Sequence, residues 1–256
     1  MKSIILLTDF GISDNFVGVM KGVMLNINKE LNFIDLTHNI EAQNIFQAAF
    51  ILKNSYKYFP EGSIFLCVVD PGVGTERDVL FLYTDKYIYV APDNGLLSPI
   101  IEESDYYKLY KLYLPNNYIS NPESNTFHGR DIFSPLAAVL SRNVKPEEIG
   151  VITDKYVRLD FPKPVIKDNL IEGEIIYIDK FGNCISNIDG NIIKNLSSFK
   201  IFFKDKVISD LSYNYSIRDE IGCIIDSFNL LELFAPSDSL KNKLKVVIGE
   251  KIKIKY

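Results

Sequence analysis

The sequence is poor in the residues that usually announce metal or disulfide chemistry: two histidines and three cysteines in 256 residues. Cys67, Cys184 and Cys223 are odd in number, widely spaced and each set in an apolar run. That pattern suits small buried side chains in a reducing compartment and excludes a disulfide framework. His38 and His128 lack a second histidine or a carboxylate at zincin spacing, so no metal centre is expected. Positive charge is short as well. A net charge of −5 with no lysine or arginine stripe argues against nucleic-acid binding. No apolar run approaches the ~18 residues that would span a bilayer. The apolar run in "MKSIILLTDF" is too short for a signal peptide, and both chain ends read as structural. A cytoplasmic protein bound to neither membrane nor nucleic acid is expected. What is present is ordinary for a globular chain, with 47% hydrophobic and 24% charged residues. The length can bury a full core as one large domain or two modest ones.

The first part alternates strand and helix signals. "SIILLT" is a short apolar run ending at Asp9, as in a buried parallel strand. Phe16, Val19, Met20, Val23, Met24 and Ile27 then share one helical face, with Ser13 or Asp14 available as N-cap. "NFIDL", "SIFLCVV", "VLFLYT" and "YIYVA" read as strands, with helices after Ile45 and from about Asp131 to Arg142. The expectation is an α/β domain over 1–160, Rossmann-like, with a largely parallel sheet covered on both faces. "RLDFPKPVIKDN" reads as a linker. Beyond it "EGEIIYID", "SFKIFF", "EIGCIID", "LKVVIG" and "KIKIKY" predict a small antiparallel barrel or sandwich over 161–256. The tyrosines of "YYKLYKLY" predict an edge strand, and the tail lysines a solvated strand face.

Ligands of open α/β sheets bind beyond the carboxyl ends of the strands. Asp9 in "TDFG" and Asp70 in "VVDPGVGTER" stand at such ends. Rigid Pro71 and permissive Gly72 and Gly74 let the turn bring Arg77 back to Asp70. A bidentate Arg–Asp pair fixes both groups and leaves donors for a third partner, although such a pair is often purely structural. His128, in "NTFHGRDIF", stands at a helix start, where a bond to a local carbonyl is the plain alternative. His38 reads as structural, and Arg130 and Asp131 as first-turn residues. "DFG" and "HGRD" occur in the wrong order for a kinase, and "PGVGT" lacks the Lys-Ser/Thr of a P-loop.

"LLTDFG", "IDLTH", "VVDPGVGTER", "APDNGLL", "TFHGRDIF" and "YIDKFGNCISN" run in order over nearly the whole chain. Together they resemble the S-adenosylmethionine hydroxide adenosyltransferase family, relatives of the fluorinating and chlorinating enzymes. The resemblance implies an N-terminal α/β domain and a C-terminal β-barrel. It also implies a homotrimer whose sites lie between one subunit's N-terminal domain and its neighbour's C-terminal domain. The implied reaction hydrolyses S-adenosylmethionine to adenosine and methionine, with no metal and no cofactor. Carried over by motif, the water-activating set falls on Asp70, Arg77 and His128. The ribose contact falls on Asp9, the amino-group contact on Asp179 and the adenine-side asparagine on Asn183. The methionine carboxylate contact falls on Ser227. There the sequence departs from the family: "DSFN" replaces "NSFG", so Asn229 stands where glycine is usual, and "FAPSDS" diverges. Asparagine tolerates the left-handed region.

A sulfonium substrate loses a neutral thioether, so no general acid is required. An oxygen nucleophile must be held in line with the C5′–S bond, away from bulk water. Arg77 offers positive charge to a developing hydroxide, while Asp70 and His128 offer proton acceptors. The rival readings are an adenosyl halide synthase, a non-catalytic S-adenosylmethionine-binding protein and a purely structural trimer. Gly129 stands where the fluorinating relatives carry a halide-binding serine, and the Asp70 carboxylate would repel an anion.

Overall fold

In a computed structural model, residues 2–216 and 220–256 are described, and the chain divides into two compact units, Met1–Leu159 and Asp160–Tyr256. The first unit runs β1 (Lys2–Thr8), α1 (Phe16–Ile27), β2 (Leu31–Thr37), α2 (Ile45–Ser55), β3 (Ile64–Val68), β4 (Val79–Thr84), β5 (Ile88–Pro92), α3 (Ser98–Glu103), β6 (Tyr107–Leu112), α4 (Ser134–Ser141) and β7 (Gly150–Ile152).

Its sheet has the order β2-β1-β3-β5-β4-β6-β7. The ladders joining β2, β1, β3 and β5 are parallel, whereas β5/β4, β4/β6 and β6/β7 are antiparallel. The sheet is therefore mixed, not largely parallel. The reason is connection length: the 85–87 turn, closed by Thr84 N–H to the Tyr87 carbonyl at 2.9 Å, is far too short for a crossover helix.

Both faces are covered, which explains the unbroken apolar runs. Along β1, Ile4 and Leu6 join Met20, Met24, Leu136 and Leu140 on one side. Ile5 and Leu7 face the other way, toward Ala48, Leu52, Phe65 and Tyr89. Two local expectations change. The N-cap position of α1 is Asn15, and neither Ser13 nor Asp14 occupies it. Asn15 already has helical backbone angles, so its side chain makes no cap bond. The 106–113 segment is not an edge strand, because β7 pairs beyond β6. Its Tyr110 is buried, stacked on Phe81 at 5.1 Å between ring centroids, with its hydroxyl donating to Glu147 at 2.8 Å.

The second unit comprises β8 (Val165–Lys167), β9 (Leu170–Ile178), β10 (Cys184–Asp189), α5 (Gly190–Lys194), β11 (Lys200–Phe203), β12 (Lys206–Ile208), β13 (Gly222–Ile225), β14 (Leu230–Phe234), α6 (Leu240–Leu244) and β15 (Lys251–Lys255). Every ladder is antiparallel, in the order β12-β11-β15-β9-β10-β14-β13, with β8 also paired to β9. Downstream of β12, the Ser212 N–H donates to the Cys223 carbonyl of β13 at 2.8 Å, which bends the sheet toward a barrel. The 158–169 segment is only partly linker, since it includes β8. "LKVVIG" is not a strand. Ser239 caps α6 by accepting from the Asn242 N–H at 3.2 Å, and Lys245 ends that helix in the left-handed region at φ 51°. Along β15, Ile252 and Ile254 are buried while the lysines face outward, two of them pairing with Glu174 and Glu172.

Candidate active site

The carboxyl ends of β1 and β3 carry the first group of polar residues. Thr8, the last residue of β1, is buried, and its hydroxyl lies 2.8 Å from His38 Nδ1. His38 Nε2 lies 3.1 Å from Asp35 Oδ1. This histidine ties β1 to β2. Next along the chain, Asp9 accepts a backbone bond from Gln43 at 2.8 Å through Oδ2, a partner outside the Asp70–Arg77–His128 cluster.

At the end of β3, Asn94 Nδ2 donates to the Val69 carbonyl at 2.8 Å and holds the strand terminus. Asp70 follows, then a turn through Gly72 and Gly74. Gly74 has φ +79°, and a Cβ there would lie 2.4 Å from the Asn125 carbonyl oxygen. Only glycine permits that approach of the 70–77 turn to the segment that carries His128. Arg77 Nε donates to Asp70 Oδ1 at 2.9 Å and to Oδ2 at 3.0 Å, and Nη2 also donates to Oδ2. Nη2 further lies 2.9 Å from His128 Nδ1. The guanidinium carbon sits 5.1 Å from the centroid of the fully buried Phe133 ring, a cation–π contact. The Arg77 and Asp70 side chains are only 11% and 6% exposed, which makes this a pair shielded from water.

His128 immediately precedes a π-helical turn, Gly129–Phe133, which continues into α4. Its ring is held by the strictest logic in the site. A guanidinium has only donors, so Nδ1 must accept, and in the neutral ring the proton resides on Nε2. Burial, then the Arg77 charge, lowers the His128 pKa, against smaller opposing effects of Asp70 and Asp131. The neutral form is therefore favoured, and its Nε2 is buried with no partner among the described residues. His128 is thus a donor waiting for an acceptor, whereas the sequence suggested a proton acceptor. Arg130 and Asp131 form a neighbouring ion pair, and Asp131 Oδ2 accepts from the Ser124 N–H at 3.0 Å. They brace the loop before His128.

A second polar group lies in the second unit. Asp179 Oδ1 accepts from the Phe181 and Asn183 N–H groups at 2.9 and 2.8 Å, and Oδ2 accepts from Asn183 Nδ2 at 3.0 Å. Gly182, at φ +85°, lets this turn meet Ser239, whose Oγ a Cβ would approach to 2.0 Å. The turn borders a cleft of about 640 Å³ lined by Asp179, Phe181, Asn183, Tyr215 and residues of the 235–239 segment. Phe181 is 74% exposed, presenting a bare aromatic face. Ser227 is exposed in the turn between β13 and β14 and does not line this cleft. Asn229 does occupy the left-handed region there, at φ 60°.

Asp70, Arg77 and His128 are brought together, as are Asp179 and Asn183. Sequence reasoning missed Tyr215, Phe181 and Phe133. Phe181 and Phe133 lie inside the quoted motifs, where nothing marks which aromatic faces a site, and Tyr215 takes its place against Phe234, distant in the chain. The three cysteines are free and buried, with burial raising each thiol pKa. Among the described residues, no cluster of His, Cys, Asp and Glu could hold a metal ion, and no helix is long and apolar enough to cross a membrane.

A mixed α/β unit with a polar cluster at its strand ends, followed by an antiparallel barrel-like unit with its own cleft, defines a two-unit protein built to handle a small molecule. The chain belongs to the SAM hydroxide adenosyltransferase family: the N-terminal domain of that family matches residues 4–150 and the C-terminal domain residues 173–253. It is 31% identical to the (R)-S-adenosyl-L-methionine hydrolase of Methanocaldococcus jannaschii, over 99% of this chain and 95% of the relative. The enzyme of the same name from Thermus thermophilus is 35% identical over 73% of this chain and 75% of the relative. The crystal structure of an uncharacterized conserved protein from Thermotoga maritima superimposes with a TM-score of 0.90 at 32% identity, covering 99% of this chain and 100% of that one.

Proposed function

We propose that the protein hydrolyses S-adenosyl-L-methionine to adenosine and L-methionine, and that the (R)-sulfonium epimer named for its relatives is a substrate. The observation that carries this reading is the Asp70–Arg77–His128 cluster with donors left over. Arg77 spends Nε and Nη2 on Asp70 and His128, which leaves Nη1 for a further partner, and His128 Nε2–H is buried and unpaired among the described residues. Both favour an oxygen with hydroxide character, which the water acquires as Asp70 draws off its proton. In the proposed step the water oxygen bonds to the ribose C5′ as the C5′–S bond breaks. The electron pair goes to sulfur, which leaves as the neutral thioether of methionine. The proton lost by the new hydroxyl passes to Asp70, the one acceptor in the cluster, and then to solvent.

Asp9 would take the ribose diol. The Asp179–Asn183 turn would take the amino group and the adenine side, and Ser227 the carboxylate. These groups are divided between two units of the chain. We therefore extend the reading to a homotrimer in which one subunit's first unit meets its neighbour's second unit, a cytoplasmic enzyme needing no metal or cofactor. A halide nucleophile suits the cluster less well. A Cβ at Gly129 would lie 2.9 Å from the Phe127 ring and 3.3 Å from the Met20 sulfur, which leaves little room for a serine there.

Incubating purified protein with each resolved sulfonium epimer, with and without chelator or chloride, tests the reading directly. Adenosine and methionine in equal amounts, unchanged by chelator, are the expected products. A 5′-chloro product, or activity restored only by zinc, would overturn it. Light scattering of the eluting protein tests the trimer.

A further inference from the structure

Glu232 is a charge-bearing side chain that the proposed reaction does not use. It lies on β14, paired through its backbone to Ile185 of β10 and Ile224 of β13, and is 4% exposed. Its Oε1 has no hydrogen-bond partner among the described residues. Glu232 and Phe234 share one face of β14, and the Tyr215 ring, which lines the cleft, rests edge-on against Phe234 at 5.0 Å, with its hydroxyl acting on the Glu232 carboxyl as a nearby donor. The Glu232 carboxyl therefore lies behind the Tyr215 wall of the proposed ligand cleft.

We propose that Glu232, acting through Tyr215, is a positioning residue for the cationic part of the ligand in this cleft, holding a negative charge beneath the wall when a sulfonium or ammonium enters. The inference rests on the functional reading above. A buried carboxylate without a cation is costly, so this group should stay protonated while the cleft is empty. The surroundings agree. Burial raises the Glu232 pKa to about 7, the Tyr215 hydroxyl opposes that rise, and the charges of Asp226 and Asp179 add to it. The Cys184 thiol, on the other face beside Leu233, is pushed up to about 12 by burial first and then by Asp179, Glu232 and Glu250, with Lys204 opposing. The charges that act on Glu232 are those of carboxylates. An entering cation would supply the missing partner, and the proton would leave. Affinity for a cationic ligand should then rise with pH as the free carboxyl ionises, and level off above its titration range.

The test is calorimetric binding of S-adenosylmethionine and of its neutral thioether analogue, S-adenosylhomocysteine, from pH 6 to 8. Wild type is compared with Glu232→Gln and Tyr215→Phe. The amino group of the ligand titrates identically against all three proteins, so differences between proteins are what count. Wild-type affinity for the sulfonium should rise about tenfold relative to Glu232→Gln across this range. Tyr215→Phe keeps the ring but removes the hydroxyl that favours ionisation, so its rise should move to higher pH. A purely structural role would not move that profile. Equal pH profiles for wild type and Glu232→Gln would overturn the inference alone. Failure of wild type to bind the sulfonium at any pH would overturn the functional reading and this inference with it.

Discussion

Arg77 Nη2 donates to His128 Nδ1 at 2.9 Å, and this bond determines which nitrogen of the ring carries the proton. With burial and the guanidinium charge both lowering its pKa, His128 is neutral near pH 7 and donates through Nε2.

The pH dependence follows from that assignment. His128 has a folded pKa below its ordinary value, so its neutral form stabilises the fold above about pH 6.5, and that contribution is lost as pH falls through the folded pKa. Turnover should share this acid limb, because a protonated Nδ1 no longer accepts from Arg77. The expected result is kcat flat from neutrality upward and falling only at a pH lower than the ordinary histidine value, with an acid loss of Tm, beginning at about pH 6.5, that His128→Asn reduces. A kcat that rises on acidification would refute the neutral donor.

Asp70 and Arg77 should behave as a unit. Asp70→Ala and Arg77→Ala are each expected to lower kcat by about 10²–10⁴-fold with a much smaller change in KM. Each substitution leaves a shielded charge without its partner. The double variant should lose little beyond the worse single one, whereas additive losses in steady-state kinetics would show that the two do not serve one water.

Gly74→Ala probes how the site is assembled. The added Cβ meets the Asn125 carbonyl and sits at φ +79°, so the 70–77 turn must shift away from the His128 segment. Backbone strain alone costs about 1–2 kcal/mol. The Tm should fall by several degrees, and kcat should fall further than that instability explains. Wild-type turnover in a folded Gly74→Ala protein would show that the close approach is dispensable.

Asp9→Ala is expected to weaken substrate binding about tenfold or more while leaving kcat within a few-fold, the loss of one charge-assisted hydrogen bond. The Gln43 N–H loses its acceptor as well, so a small fall in Tm should accompany it. Unchanged affinity by calorimetry would remove Asp9 from the site.

Much of this was legible in the residues themselves. Apolar runs that stop at Asp9 and Asp70, and glycines where a turn must fold back, are local properties of the chain. They place polar groups at strand ends whatever the rest does. The ordered motifs carried the family, and the alternation of β15 already separated its lysines from Ile252 and Ile254. Other features depended on tertiary structure. The residues of "LKVVIG" have strand propensity, yet a serine cap upstream and a left-handed lysine make them a helix end and a turn. Strand direction in the β5-β4-β6-β7 half depended on loop length and pairing partner, neither of which is a property of a strand's own residues. His128 could be read from sequence as a base. Its proton was located only by an arginine 51 residues away, because a tautomer is chosen by whichever group the fold sets against the ring. Glu232 looks like one more polar residue in "LLELF", and its charge state depends on burial by β10 and β13 and on carboxylates from two other turns. Propensity acts within a segment, whereas the electrostatic environment of a side chain is the sum of groups the sequence keeps far apart.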